Sequence, residues 1–207
     1  MIDPGLIDLI MRLRGSGISD NNLLGAMESI SRKHFLPSDL WDLAYHAQAL
    51  PIACGQEISA PLTIALLTQS LELFTVHRVL EIGSGSGYHT AILSLMANHV
   101  FSIERYNSLA NSAKEKLNFL GIQNFTILHD DGNHGMSYEA PFDRIIATCG
   151  FSSAPESLIA QLAHKGKLVA VVNNILTIFV QQYDTVEEKK LFPLSLPLIE
   201  MEKSKFL

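Results

Sequence analysis

Apolar residues recur at helical spacing early in the chain and later gather into short β-branched runs. Leu6, Ile7, Ile10, Met11 and Leu13 share a helix face that Gly15-Ser16-Gly17 ends. Ser19-Asp20 is placed to cap a second helix, Asn22 to Ile30, whose apolar face carries Leu23, Leu24, Met27 and Ile30. Leu40 to Ala47 reads as a third, short helical segment. The stretch from Leu50 to Pro61 has no period, and a long helix from Leu62 to Leu73 follows it.

From residue 78 onward the pattern alternates. Strands are predicted at 78–82, 100–103, 124–128, 143–148 and 166–172, separated by helices at 88–97, 107–120 and 155–163. That order predicts an α/β fold with a doubly wound, mostly parallel sheet and right-handed crossovers. The apolar run from Gly166 to Val180 is broken by Lys167, Asn173 and Asn174, which predicts two core strands joined by a turn. Leu176 to Tyr183, a turn at Glu187-Glu188-Lys189-Lys190 and a strand-like Leu191 to Ile199 predict an antiparallel C-terminal edge. Glu202 to Lys205 reads as a frayed end.

Composition narrows the function classes. The chain has 207 residues, 47% of them hydrophobic and 17% charged, as expected of one folded domain and not of a disordered segment. A net charge of -6 without a basic patch argues against a nucleic-acid partner. No apolar run approaches the ~20 residues that span a bilayer, so no membrane association is expected. Cys54 and Cys149 give no disulfide framework, and no secretory leader is evident, so a cytoplasmic location is expected. His129 and His134 flank a turn without a third ligand, and no metal is expected.

The chemistry starts at Val79-Leu80-Glu81-Ile82-Gly83-Ser84-Gly85-Ser86-Gly87. A buried strand enters a glycine turn and leaves as a helix, which brings backbone N–H groups close to a ligand. A dinucleotide site needs its third glycine one residue later, and an acid just before the turn would repel a pyrophosphate. Glu81 suits a ligand carrying positive charge, such as the ammonium and sulfonium of S-adenosylmethionine. Glu104 ends the next strand, where an acid can accept from ribose hydroxyls, and Asp131-Gly132 follows the third, where an acid can accept from adenine. A packing-only glycine turn and a plain Asp-Gly turn are the competing readings. Ser84 and Ser86 do not fit the G-x-S-x-G spacing of a hydrolase. In Gly55-Gln56-Glu57-Ile58-Ser59-Ala60-Pro61 a serine stands before a helix N-terminus, either receiving an anion or only capping the helix.

Taken in order, Leu50-Pro51-Ile52, Gly55 to Pro61, Val79 to Tyr88, Asp131-Gly132 and Ala140-Pro141-Phe142-Asp143 resemble the protein-L-isoaspartate O-methyltransferase family from about Leu6 to Val172. The resemblance implies a Rossmann-like methyltransferase sheet with an N-terminal helical subdomain. It implies a single domain over 1–207, with a helical subdomain at 1–50, a substrate loop at 51–61, a cofactor core at 62–172 and a shortened edge at 173–207. The implied cofactor is S-adenosylmethionine, with S-adenosylhomocysteine as product. By the same resemblance Ser59 is the active-site residue, Ile58, Ser59 and Thr148 face the substrate, and Glu81, Gly83, Gly85, Glu104, Arg105, Asp131 and Gly132 hold the cofactor. The implied partners are damaged proteins and peptides containing isoaspartyl residues, met by a monomeric enzyme that begins their repair through a succinimide. The acceptor carboxylate is already ionised at pH 7 and needs no general base.

The chain departs from the family at Thr148-Cys149-Gly150, at His164-Lys165-Gly166-Lys167 and at Val172-Asn173-Asn174. Phe192-Pro193-Leu194 and Leu196-Pro197-Leu198 are equal candidates for the family's closing Val-Pro-Leu. The alternative expectation is an S-adenosylmethionine-binding homologue whose altered C-terminal region has lost or redirected its activity.

Overall fold

The computed structural model describes residues 3–204. Asp3 accepts a hydrogen bond from Gly5 N–H and caps α1 (Pro4–Gly15), which buries Leu6, Leu9, Ile10 and Leu13. Asp20 accepts from the Asn22 and Leu23 N–H groups to cap α2 (Asn21–Ser29). A 3-10 segment at Arg32–Phe35 follows, and the third helix expected at 40–47 is replaced by a second one, Ser38–Leu43. Leu40 and Leu43 pack only at their edges and offer no stripe wide enough to bury a full α-helix. A two-residue hairpin, β1 (Leu50–Pro51) and β2 (Glu57–Ile58), leads to α3 (Pro61–Leu71), which ends where Glu72 turns left-handed.

The main sheet follows as β3 (Arg78–Ile82), α4 (Tyr88–Met96), β4 (His99–Glu104), α5 (Asn107–Phe119), β5 (Phe125–His129), β6 (Phe142–Phe151), α6 (Glu156–Ile159), β7 (Leu162–Val172), β8 (Ile175–Gln181) and β9 (Val186–Pro193). Its seven strands lie in the order β5-β4-β3-β6-β7-β8-β9, parallel from β5 to β7 and antiparallel at β8 and β9. The winding direction reverses at β3, so the crevice beyond its carboxyl end is where a ligand binds in such sheets. Alternate residues of β3 serve two cores: Val79 packs under the N-terminal helices, and Leu80 and Ile82 pack with Phe142, Leu158 and Ile159.

The helix expected at 155–163 is a single turn, because Leu162 has already joined β7 opposite Phe142. Glu187 to Lys190, expected as a turn, belong to β9, and the turn is made where Gln182 N–H donates to Thr185 O. Exposed on an outer strand, these charges mask the strand's period while discouraging edge-to-edge pairing. The strand expected over 191–199 stops at Pro193. Asn173 and Asn174 carry φ of 50° and 60° and form the two-residue turn between β7 and β8. Two consecutive left-handed residues are what such a hairpin requires, and asparagine tolerates that conformation. Residues 202–204 are not frayed: Glu202 and Ser204 N–H donate to Asp131 and to the Arg105 carbonyl, and Lys205 lies outside the described residues.

Candidate functional site

The glycine turn grows directly from β3. Gly83 N–H donates to Ile103 O, extending the β3–β4 ladder by one step before the chain turns away. Gly83 has φ +92°, and a Cβ there would stand 2.4 Å from Thr148 Oγ1. Gly87, at φ +88°, is pressed against α5, where a Cβ would meet Ala113 Cβ at 3.0 Å. These contacts forbid side chains and leave a bare cradle at the start of α4, as a close-lying ligand needs.

The three strand-end acids play different parts. Glu81 is 0% exposed, and its Oε2 accepts hydrogen bonds from Thr90 Oγ1 (2.5 Å) and Ser102 Oγ (2.7 Å). Among the described residues its Oε1 has no hydrogen-bond partner, and burial lifts the carboxyl to about 7, against the two hydroxyl bonds that lower it. The carboxylate thus lies beneath the turn with no surface open to a ligand, so the side-chain contact expected of Glu81 is corrected to an action from below. His89 lies beside it. The Thr68 hydroxyl donates to Ile64 O, so His89 Nε2–H donates to Thr68 (2.7 Å) and its Nδ1 lone pair faces Glu81 Oε1 at 4.0 Å. Burial keeps this imidazole neutral, lowering it to about 3.

Glu104 accepts from Gly85 N–H (2.8 Å) and Tyr106 N–H (3.0 Å), and burial nonetheless raises its carboxyl. It therefore pins the middle of the glycine turn and keeps lone pairs free. Asp131 lies at the end of β5. Burial acts to raise it, but bonds from Asn133 N–H, Asn133 Nδ2 and Glu202 N–H outweigh that and hold it below the usual range. A Cβ on Gly132 would stand 2.5 Å from Ile82 Cγ2, so the backbone passes close over the end of β3. The Arg105 guanidinium faces the C-terminal segment, pairing with Glu200 and donating to Glu202 O.

The loop carrying Ser59 lies over the same cradle, with Ile52 Cδ1 3.9 Å from the Cβ position of Gly85. Ile52 N–H donates to Gln56 O, Cys54 sits at φ 61°, and its Sγ lies 3.1 Å from Ser108 Oγ on α5. Ser59 does not cap α3; Ala60 occupies the cap position, and the Ser59 hydroxyl makes no hydrogen bond among the described residues. Ile58, expected to face substrate, is 3% exposed and packed in the core. Its side chain belongs to the hydrophobic set that anchors the loop. Thr148 Oγ1 lies 2.9 Å from both Ile82 O and Gly83 O, so its proton is committed to the β3 end. Cys149 is half-buried, and burial pushes its thiol up to about 12, as befits a packing residue.

The C-terminal segment closes one side. Gly150 N–H donates to Pro197 O and Ile199 N–H to Gly150 O, so Leu196-Pro197-Leu198, and not Phe192-Pro193-Leu194, lies against the carboxyl end of β6. The structure thus brings together Gly83, Gly85, Glu104, Thr148 and the Ser59 loop, and places Asp131, Gly132 and Arg105 on the flank covered by residues 199–204. Sequence reasoning missed Thr90, Ser102 and His89, polar groups on otherwise apolar elements under the turn. It also missed Arg32, whose guanidinium reaches the Ile58 and Ser59 carbonyls. Among the described residues no cluster of His, Cys, Asp and Glu is arranged to hold a metal ion, and no helix is long and apolar enough to cross a membrane.

Comparison with known proteins agrees with this geometry. The family model described as Protein-L-isoaspartate(D-aspartate) O-methyltransferase (PCMT) matches residues 7–193. A protein-L-isoaspartate O-methyltransferase of Maricaulis maris is 40% identical over 205 residues, covering 97% of this chain and 96% of its own. The Rhodospirillum rubrum protein of the same name is 39% identical over 202 residues, with 94% and 92% covered. Among solved structures, a Plasmodium falciparum protein described as a protein-L-isoaspartate O-methyltransferase, in complex with S-adenosyl-L-homocysteine, superposes with a TM-score of 0.82 at 25% identity. That match covers 93% of this chain and 97% of the other.

Proposed function

Since the chain belongs to the protein-L-isoaspartate O-methyltransferase family, we propose that it methylates the free carboxylate of L-isoaspartyl and D-aspartyl residues in damaged proteins and peptides, using S-adenosylmethionine. The observation that carries this reading is the unpartnered Ser59 hydroxyl on a loop lying over the glycine cradle. When bound, S-adenosylmethionine supplies a sulfonium methyl and leaves as the neutral thioether S-adenosylhomocysteine. The residues present fit it. Gly83 and Gly85 open the cradle, Glu81 contributes negative charge beneath it, Glu104 keeps lone pairs for hydroxyl donors, and Asp131 with Gly132 offers an acceptor on the flank.

Ser59 donates its hydroxyl hydrogen bond to the acceptor carboxylate and fixes its direction. The carboxylate is ionised at pH 7, so no residue has to remove a proton. What remains for the protein is orientation and exclusion of water. Thr148 anchors the strand end that borders the acceptor, and Arg105, held by the C-terminal segment, steadies the flank of Asp131. In this reading residues 1–207 form one methyltransferase domain, with 51–61 as substrate loop and 62–172 as cofactor core. The protein acts as a cytoplasmic monomer, and its net charge of -6 favours exposed polypeptide over nucleic acid as partner.

No structural observation favours a lost or redirected activity. Asn173-Asn174 forms a compact turn, and the segment beyond it still packs against the strand ends. The test is transfer of labelled methyl from S-adenosylmethionine to an isoaspartyl peptide, with the aspartyl peptide as control. Base-labile label on the isoaspartyl peptide alone is the expected result. Cofactor binding without transfer to that peptide would refute the reading.

A further inference from the structure

Arg32 sits in a three-residue run of basic side chains, Arg32-Lys33-His34, yet it alone of the three is completely buried. Lys33 meets Asp3 at 2.7 Å. Arg32 has no carboxylate within ion-pair distance among the described residues, although an unpaired charge is among the costliest groups to bury. Burial lowers it only to about 10, so it stays charged at pH 7.

Its partners are backbone carbonyls from two separate segments. Nη1 donates to Ala44 O at 2.8 Å. Nη2 lies 3.0 Å from Ser59 O, 3.2 Å from Ile58 O and 3.4 Å from Gln48 O, while Nε is buried without a hydrogen-bond partner among the described residues. Ala44 and Gln48 lie in irregular backbone, and Ile58 and Ser59 lie where the two-residue strand β2 ends; a planar fork with donors in fixed directions can hold several such carbonyls at once. Among the described residues the Ser59 side chain has no bond to fix it, and Ala60 provides no side-chain cap. The Ser59 carbonyl held by Arg32 is therefore the nearest fixed point to its hydroxyl.

We propose that Arg32 is the positioning residue of the reaction: by gripping the Ile58 and Ser59 carbonyls it aims the Ser59 hydroxyl at the acceptor carboxylate. This rests on the methyltransferase reading above. Misplacement of a reacting group by ~1 Å can cost about 100-fold in rate, and a lysine in place of Arg32 keeps the charge but loses the fork.

The test uses the full chain with Arg32→Lys and Arg32→Ala. Four quantities are measured: the dissociation constant for S-adenosylhomocysteine, kcat and KM for an isoaspartyl peptide, and amide hydrogen exchange over residues 52–60. Expected for Arg32→Lys are cofactor affinity within about twofold of the unsubstituted protein, kcat lowered ~10- to 100-fold with a smaller change in KM, and faster exchange confined to the loop. Added methylguanidinium is expected to restore part of the turnover of Arg32→Ala. Unchanged kcat and loop exchange in Arg32→Lys would overturn the proposal. So would failure of both variants to bind S-adenosylhomocysteine, which would make Arg32 a residue of general folding. An unsubstituted protein inactive on the isoaspartyl peptide would instead sink the functional reading, and loop exchange then decides the role of Arg32 by itself.

Discussion

Replacing Glu81 with glutamine separates what the buried acid costs the fold from what it gives the site. Its carboxyl is raised from 4.5 to about 7, chiefly by burial, with the Thr90 and Ser102 bonds pulling the other way. Below about pH 4.5 the folded and unfolded chains both hold the proton, and this group makes no difference between them. Between 4.5 and about 7 the unfolded chain releases it while the folded chain retains it, so stability falls as pH rises. Above that the folded protein carries an ionised group at the full penalty, about 3 kcal/mol at ~1.4 kcal/mol per pKa unit. Glutamine keeps the shape and the acceptor for Thr90 and Ser102. Its amide nitrogen, standing where Oε1 is unpartnered, faces the His89 Nδ1 lone pair. Glu81→Gln is therefore expected to be more stable than the parent at pH 8 by about 3 kcal/mol, a rise in Tm of ~6–12 °C, with the gain vanishing toward pH 4.5. The same variant is expected to bind S-adenosylmethionine about tenfold more weakly, ~1.4 kcal/mol, because negative charge beneath the cradle is gone. Urea unfolding of both proteins at pH 5, 6, 7 and 8, with calorimetric cofactor titration, measures both effects. A variant less stable than the parent at pH 8, or a difference independent of pH, would refute the reasoning.

Other perturbations probe neighbouring parts. Ser59→Ala should change stability by less than ~0.5 kcal/mol and leave S-adenosylhomocysteine affinity unaltered. Its turnover should fall ~10- to 100-fold, the worth of one hydrogen bond to a charged group; a drop in cofactor affinity with turnover per bound site preserved would contradict the role given to Ser59. Gly83→Ala combines left-handed strain with the Thr148 clash and should lose about 2–3 kcal/mol in denaturant titrations. Asn174→Gly keeps the turn between β7 and β8 and should gain up to ~0.5 kcal/mol, whereas valine there should destabilise. A chain ending at Ile199 frees Asp131 Oδ2 from the Glu202 N–H, and calorimetry should show tighter S-adenosylhomocysteine binding; weaker binding would make the segment a cover and not a competitor.

Much of the sheet was legible because its strands are nearly continuous apolar runs, and Gly83, Gly85 and Gly87 mark the turn outright. Boundaries failed where tertiary pairing overrode local pattern. Leu162 was drawn into β7 by Phe142, and Glu187 to Lys190 joined an edge strand that charge disguised. Asn173-Asn174 looked like a departure and is a turn whose two left-handed residues explain both asparagines. Nothing local separates Arg32 from its basic neighbours, since its burial depends on carbonyls up to 27 residues away. Glu81 was legible as an acid at the right place, but its depth was not, because burial is a property of Thr90, Ser102 and His89 together.

The Asp131-Gly132 step has a consequence for the durability of the protein itself. An aspartyl residue followed by glycine is the sequence most open to attack by the next backbone nitrogen on the side-chain carboxyl, since the bare glycine Cα offers no hindrance. That ring closure makes a succinimide and then an isoaspartyl linkage, the lesion on which the proposed activity works. Here the carboxylate is held by Asn133 N–H, Asn133 Nδ2 and Glu202 N–H and kept in its ionised, unreactive form. The next backbone is packed tightly against Ile82. The hydrogen bonds that hold Asp131 in place also slow its ageing into the enzyme's own substrate.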